Sequence, residues 1–184
     1  MRPPTTLMMT PKMPYRFAGL LLLLLGGAFC RGAAFAQSGD GSGSATLRVS
    51  GQVSQPLSLT AEALGKFKKT ELRAKDKEGR EHRYTGVVVT DLLREAGVAL
   101  GPALRGEHLA KYVLVEAADG YRAVFALPEL DPEFAREAVL VAYQVDGRPL
   151  PAGEGPFRLV VPADKKQARW VRQATVIKVL LAGE

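Results

Sequence analysis

The chain has 184 residues, 47% of them hydrophobic, with 25 Lys and Arg against 19 Asp and Glu and a single cysteine. This length and apolar content suit one globular domain and exclude a disordered polymer. A formal charge of +6 without a dense basic cluster argues against a dedicated nucleic-acid binder, and one cysteine excludes an intrachain disulfide or a cysteine-rich zinc site.

Arg2, Lys12 and Arg16 precede the apolar run "FAGLLLLLLGGAFC", and "AFA" at Ala34 to Ala36 supplies small residues before Gln37. This pattern predicts a secretory signal peptide over residues 1–36 and a periplasmic or secreted location. The run is short for a hydrocarbon core of about 30 Å, so no membrane span is expected after cleavage. The alternatives are a retained anchor and a lipid-modified Cys30, the second disfavoured by bulky Phe29 before it. Cleavage leaves 148 residues and removes Arg2, Lys12, Arg16 and Arg31 but no acid. Basic residues then number 21 against 19 acidic ones, a net charge of +2. Cys30 leaves with the signal, so neither a cysteine nucleophile nor a cysteine-ligated metal is expected. "SGDGSGSA" completes a flexible tether over 37–45, and the domain runs 46–184.

Within the domain, "TLRVSG" alternates apolar and polar residues and predicts a half-buried strand. "PLSLTAEALGKF" predicts a short strand and a short helix capped by Thr60. "KTELRAKDKEGREHRYTG" reads as a polar hairpin turning at Gly79. In "VVVTDLLREAG" Thr90 is the expected N-cap of a helix that ends at Gly97. "KYVLVEA" and "YRAVFA" form a second hairpin across "ADG". "LPELDPEFAREA" is expected to be helical in two pieces, the second capped by Asp131 with Pro132 in its first turn. "VLVAYQV" is a buried strand closing at Asp146-Gly147, and "GPFRLVVP" and "ATVIKVLL" are the last strands. About seven strands and three short helices, mostly joined by hairpins, predict an α+β domain with mixed, mostly antiparallel sheets.

Chemistry-bearing motifs are few. No Gly-rich phosphate loop follows a strand, no helix carries two histidines four apart, and no serine sits in an elbow motif. Glu129, Asp131 and Glu133 read as a charged helix entrance rather than paired catalytic carboxylates. His82, between Glu81 and Arg83, reads as a solvent-facing hairpin residue, and His108 as a loop residue, with a general base as the alternative reading because histidine is the residue type suited to that role. Lys66 to Arg83 holds eight basic and four acidic residues, which suits a solvated sheet face without aromatic interleaving for nucleic acid. The segment after Val161 is the best candidate. Pro162 ends a strand, then Lys165, Lys166 and Arg169 crowd one turn beside Trp170, the only tryptophan. Cations and an indole together suit an anionic ligand; the alternative is a core tryptophan with a cationic rim.

The order and spacing of "LRVSGQVSQPLSLT", "YTGVVVTDLLREAG", "VEAADGYRAVFALPEL", "DGRPLPAGEGPFRLVVPADKKQARWV" and the final "VIKVLL" resemble the oxidoreductase molybdopterin-binding domain, the sulfite-oxidase-like fold, in its small exported form. The resemblance covers Thr46 to Leu181. It implies a molybdopterin cofactor whose pterin and pyrophosphate are met by basic residues, here Arg158, Lys165, Lys166 and Arg169, with Trp170 beside them. It also implies a molybdenum-binding cysteine on the strand before "Y-x-G-V". Its counterpart is about Ala74 in "ELRAKD", and no cysteine occurs there. Leu72 and Arg73 do not replace a soft sulfur donor. At 184 residues the chain is shorter than full enzymes of this family, and neither a haem module nor a dimerisation domain is expected in it. Three readings follow: a module that binds an anionic small molecule or pterin without standard molybdenum catalysis, an oxidoreductase with non-standard metal ligation, and a non-catalytic domain that contacts a periplasmic protein partner. The missing thiolate favours the first and third.

Overall fold

The computed structural model describes residues 45–183; the signal peptide expected over 1–36, and the tether as far as residue 44, lie outside the described residues. The described chain builds ten strands where the sequence suggested about seven. Strands β1 (Leu47–Gly51), β2 (Leu57–Leu59), β5 (Lys111–Ala117), β6 (Arg122–Ala126) and β10 (Ala174–Leu181) form one sheet in the order β2-β1-β10-β5-β6. Strands β3 (Thr70–Lys75), β4 (Glu81–Val88), β7 (Leu140–Val145) and β8 (Arg148–Pro149) form the second in sequential order, and β9 (Arg158–Val160) also pairs with β7. Every pairing is antiparallel except that of β1 with β10. The expected α+β fold with mixed, mostly antiparallel sheets is therefore the observed one.

The alternation read in the sequence explains these strands. In β5 Val113, Val115 and Ala117 point inward and are buried, and in β6 Ala123 and Phe125 do the same. The central β7 buries Leu140, Val141 and Ala142 in succession, as a strand covered on both faces should. Val49, Val113 and Ile177 from the first sheet join Val87, Val141 and Leu159 from the second in one apolar core. The "Y-x-G-V" glycine has a steric reason: a Cβ on Gly86 would lie 2.0 Å from the Val141 carbonyl oxygen, at a bulge between β4 and β7.

Three helices are short: α1 (Ala61–Leu64), α2 (Val89–Glu95) and α3 (Leu127–Leu130). No described helix is long and apolar enough to cross a membrane. Thr60 caps α1 as expected, its Oγ1 accepting from Ala63 N at 3.2 Å. Thr90 does not cap α2. The helix starts directly from β4 at Val88, the Val89 N–H goes to the Val139 carbonyl at 2.9 Å, and Thr90 is buried inside the first turn. A backbone acceptor thus does the work expected of the hydroxyl. The second helical piece predicted after Asp131 is an irregular turn. The Asp131 carboxylate is fully buried, and it accepts from Gly101 N at 2.6 Å as well as Glu133 N at 2.9 Å. Asp131 ties two loops together instead of starting a helix.

Candidate functional site

The site begins where β9 ends. Leu159 N bonds the Val171 carbonyl at 2.8 Å, so the residues between leave the strand and return to it. Pro162 stops the ladder; Asp164 N then turns back onto the Val161 carbonyl at 3.1 Å, and Gln167–Arg169 form one 3-10 turn. The loop is fastened at both sides. Gln167 Nε2 donates to the Lys75 carbonyl on β3 at 2.6 Å, and the Tyr121 hydroxyl beside β6 donates to the Ala168 carbonyl at 2.6 Å. It is therefore a strap that reaches from one sheet to the other.

Between this strap and β3 lies a cleft of about 580 Å³, lined by Arg73, Ala74 and Lys75 on one side and by Lys165, Lys166 and Trp170 on the other. The acids around it are mostly engaged: Asp164 by Arg169 at 2.7 Å, Asp76 by Arg80 at 2.7 Å, Glu81 by Arg73 at 3.4 Å. Lys75, Lys165 and Lys166 have no ion-pair partner among the described residues, and Glu137 is the unpaired acid beside them. The local balance favours an anion.

The five residues singled out in the sequence do not share one surface. Lys165, Lys166 and Trp170 line the β3 cleft. Trp170 is also core: it is 5% exposed, packs edge-on against Tyr84 at 5.8 Å, and donates Nε1–H to the Val161 carbonyl at 2.9 Å. Its N–H is thus committed, and the indole offers the cleft an apolar body. Arg158 is buried beneath it. Its guanidinium lies 5.3 Å from the Trp170 ring and 5.8 Å from the Tyr84 ring, pairs with Glu154, and donates to Gln167 Oε1 at 3.4 Å. Its Nε is buried without a partner among the described residues. Arg158 lines a second cleft of about 340 Å³, and Gln167 borders both clefts. Arg169 points the other way. It grips Asp164 through two nitrogens at 2.7 and 2.9 Å, reaches Glu129 at 2.9 Å and covers the Phe125 ring at 4.6 Å. The Asp164 carboxylate, with Glu129, holds its pKa above the ordinary value, so Arg169 is a fixed cation of the fold.

Sequence reasoning missed one charged assembly. His82 is a brace between two turns, contrary to the solvent-facing role expected of it. Nδ1 meets Asp146 Oδ2 at 2.7 Å in the β7–β8 turn, and Nε2 meets Asp76 Oδ2 at 3.1 Å in the β3–β4 turn. The Asp146 contact first, then Asp76, raises the imidazole pKa, while burial works against it. The same histidine, followed by the Arg83 N–H, lowers Asp146. For Asp76 burial opposes ionisation, but the Arg80 N–H, the Arg80 guanidinium and His82 hold it well below the carboxylate range. The carboxylates lie 6 and 64 positions from His82, and no motif spacing joins them. The Asp146-Gly147 turn signal was the one clue.

Whether these residues suit the cofactor implied by the fold is decided by donor chemistry. The free lysines of the β3 cleft suit the anionic part of a pterin, whereas Arg158, buried and paired with Glu154, lines the other cleft. A thiolate-bound molybdenum does not fit. Cys30 is the only cysteine, Ala74 presents a methyl at the cleft, and the described residues contain no cluster of three His, Cys, Asp or Glu that could hold a metal ion.

Comparison with protein families matches residues 73–180, more than half of the chain, to the oxidoreductase molybdopterin binding domain. Among solved structures the fold is similar to the sulfane dehydrogenase SoxCD from Paracoccus pantotrophus, with a TM-score of 0.58 and 23% identity over 76% of this chain. The match spans 39% of the length of that chain. A search of curated proteins finds no match.

Proposed function

The chain belongs to the oxidoreductase molybdopterin-binding domain family, and on that premise we propose that it is an exported binding member, holding an anionic small molecule of the pterin type in the β3 cleft without standard molybdenum catalysis. The observation that carries this reading is the pairing of a methyl at Ala74 with three unpaired lysines around one cleft. Lys165 and Lys166 on the strap and Lys75 on β3 neutralise the anion from two sides. Trp170, its N–H held by Val161, gives the ring system an apolar wall. Arg158 lies in the second cleft, where Glu154 and Gln167 fix it against Trp170 and Tyr84, so it supports the indole wall rather than meeting the anion. The N-terminal basic residues, apolar run and small residues support export to the periplasm or beyond.

The test is to produce the chain with its own N-terminal segment in a bacterium that makes molybdenum cofactor, and to assay the purified protein for pterin fluorescence, organic phosphate and molybdenum. The expected result is an anionic pterin or phosphate compound at near-stoichiometric level without matching molybdenum, lost in the Lys165→Glu/Lys166→Glu variant. One molybdenum atom per chain with substrate turnover would overturn the reading, and so would protein that carries no anionic ligand and takes none up.

A further inference from the structure

We propose that the free edge of β3 is a docking rail for an extended, acidic segment of a partner polypeptide, which adds to the second sheet as a further strand. This goes beyond the small-molecule reading and does not depend on which anion the cleft takes.

The four sheet edges are not alike. β2 is three residues long and follows Pro56. At β6 the Val124 carbonyl is approached by Arg169 Nη1 at 3.4 Å, and the Ala126 N–H is bonded by Glu129 Oε2 at 3.2 Å. Beyond β7 lie only the two-residue β8 and the three-residue β9. β3 has six residues and pairs with β4 alone. Its register fixes which backbone groups are free. Arg83 exchanges hydrogen bonds with Asp146 on the β7 side of β4, so its main-chain groups face away from β3. Arg73, its partner across the ladder, therefore turns its own N–H and C=O outward, as do Glu71 and Lys75. The Gln167 amide on the Lys75 carbonyl agrees with this orientation and takes the last of these groups. The N–H and C=O groups of Glu71 and Arg73 have no hydrogen-bond partner among the described residues.

The side chains choose the guest. Glu71, Arg73 and Lys75 are exposed on one face, while Thr70 and Leu72 lie half-buried on the other. A strand paired along Glu71 and Arg73 thus meets those two residues with alternate positions and Leu72 with those between, while Lys75, its carbonyl held by Gln167, stands at the end of the rail. Lys66 and Lys68 are exposed just before β3, and Lys165 and Lys166 stand across the cleft beyond it. Charged residues on an edge strand ordinarily repel other strands. Here that repulsion falls on basic guests and relaxes for a segment alternating acidic and apolar residues, which is the chemistry of strand addition with charge selection.

The probe is a fluorescein-labelled peptide alternating Glu and Val over seven residues, compared by anisotropy with a scrambled peptide of the same composition. The alternating peptide is expected to bind at least tenfold more tightly. Glu71→Pro deletes one outward N–H, leaves the β3–β4 ladder bonds in place and makes the surface more basic; it is expected to weaken binding at least tenfold, whereas Glu71→Gln strengthens it. Should Glu71→Pro fail to fold, a probe N-methylated at alternate amides supplies the same test on the wild-type chain. Equal binding of the two peptides, no binding, or tightening by Glu71→Pro to match Glu71→Gln overturns the proposal. Concentration-dependent dimerisation abolished by Glu71→Pro also overturns it, by making a second copy the occupant. None of these readouts involves pterin or molybdenum, so this proposal and the cofactor reading fail separately.

Discussion

Replacing His82 with alanine should destabilise the domain in a pH-dependent way, because the imidazole bridges Asp146 and Asp76 through both ring nitrogens. Both contacts are donated only by the doubly protonated ring. Charge-assisted hydrogen bonds are worth about 1.5–3 kcal/mol when desolvated. The His82 side chain is 27% exposed and that of Asp146 is 53% exposed, so solvent screening reduces this, and His82→Ala is expected to cost about 1–2 kcal/mol at pH 5.5. The sign follows from the raised pKa. The stabilisation is complete below the unfolded histidine value of about 6.5 and fades as pH rises through the higher folded value. Thermal melts of wild type and variant from pH 5.5 to pH 9 measure it, at about 3 °C per kcal/mol for a domain of this size. The gap should at least halve by pH 9. A gap that stays constant, or widens with pH, would refute the idea that protonated His82 is the brace.

On the acid side Asp76 and Asp146, both lowered, should contribute stability above about pH 4 and lose it as pH falls toward their folded values, so acid melts of Asp146→Asn should flatten relative to wild type. Gly86→Ala should cost roughly 3 kcal/mol or more, since its Cβ would meet the Val141 carbonyl oxygen at 2.0 Å, and chemical denaturation measures the loss. Trp170→Ala should cost about 3–5 kcal/mol, because the ring is buried against Tyr84 and its N–H is satisfied; a change below about 1 kcal/mol would mean that the indole belongs to the cleft rather than the core. Lys165→Glu/Lys166→Glu should leave the melting temperature unchanged, whereas Arg169→Glu should lower it by placing a third carboxylate beside Asp164 and Glu129.

What the sequence disclosed was whatever local periodicity and local chemistry control. The β5–β6 hairpin, the Thr60 cap and the buried β7 follow from neighbouring residues and formed where expected. Thr90 and Asp131 carry good capping side chains, yet one is displaced by the Val139 carbonyl and the other is drawn away by Gly101. Both competitors come from distant segments. The cation-rich strap was visible as composition, but its division was not. Arg169 turns toward Glu129, 40 positions away, while Lys165 and Lys166 face β3, about 90 positions upstream. Ala74 falls on β3 opposite His82 and borders the cleft, a position that a regular antiparallel ladder sets from spacing along the chain.

The parallel pairing of β1 with β10 sets a condition on assembly. The last strand is not an appendage: it is inserted between the first strand and β5, with Arg48 aligned to Val176 and Gly51 to Val179. A nascent chain that has not yet exposed Ala174–Leu181 leaves β1 and β5 without their common neighbour, so the first sheet closes only after that strand has emerged. Such long-range closure is slow to find, and deletion of β10, Ala174–Leu181, should leave the remaining sheet exposed to proteases rather than yield a smaller stable domain.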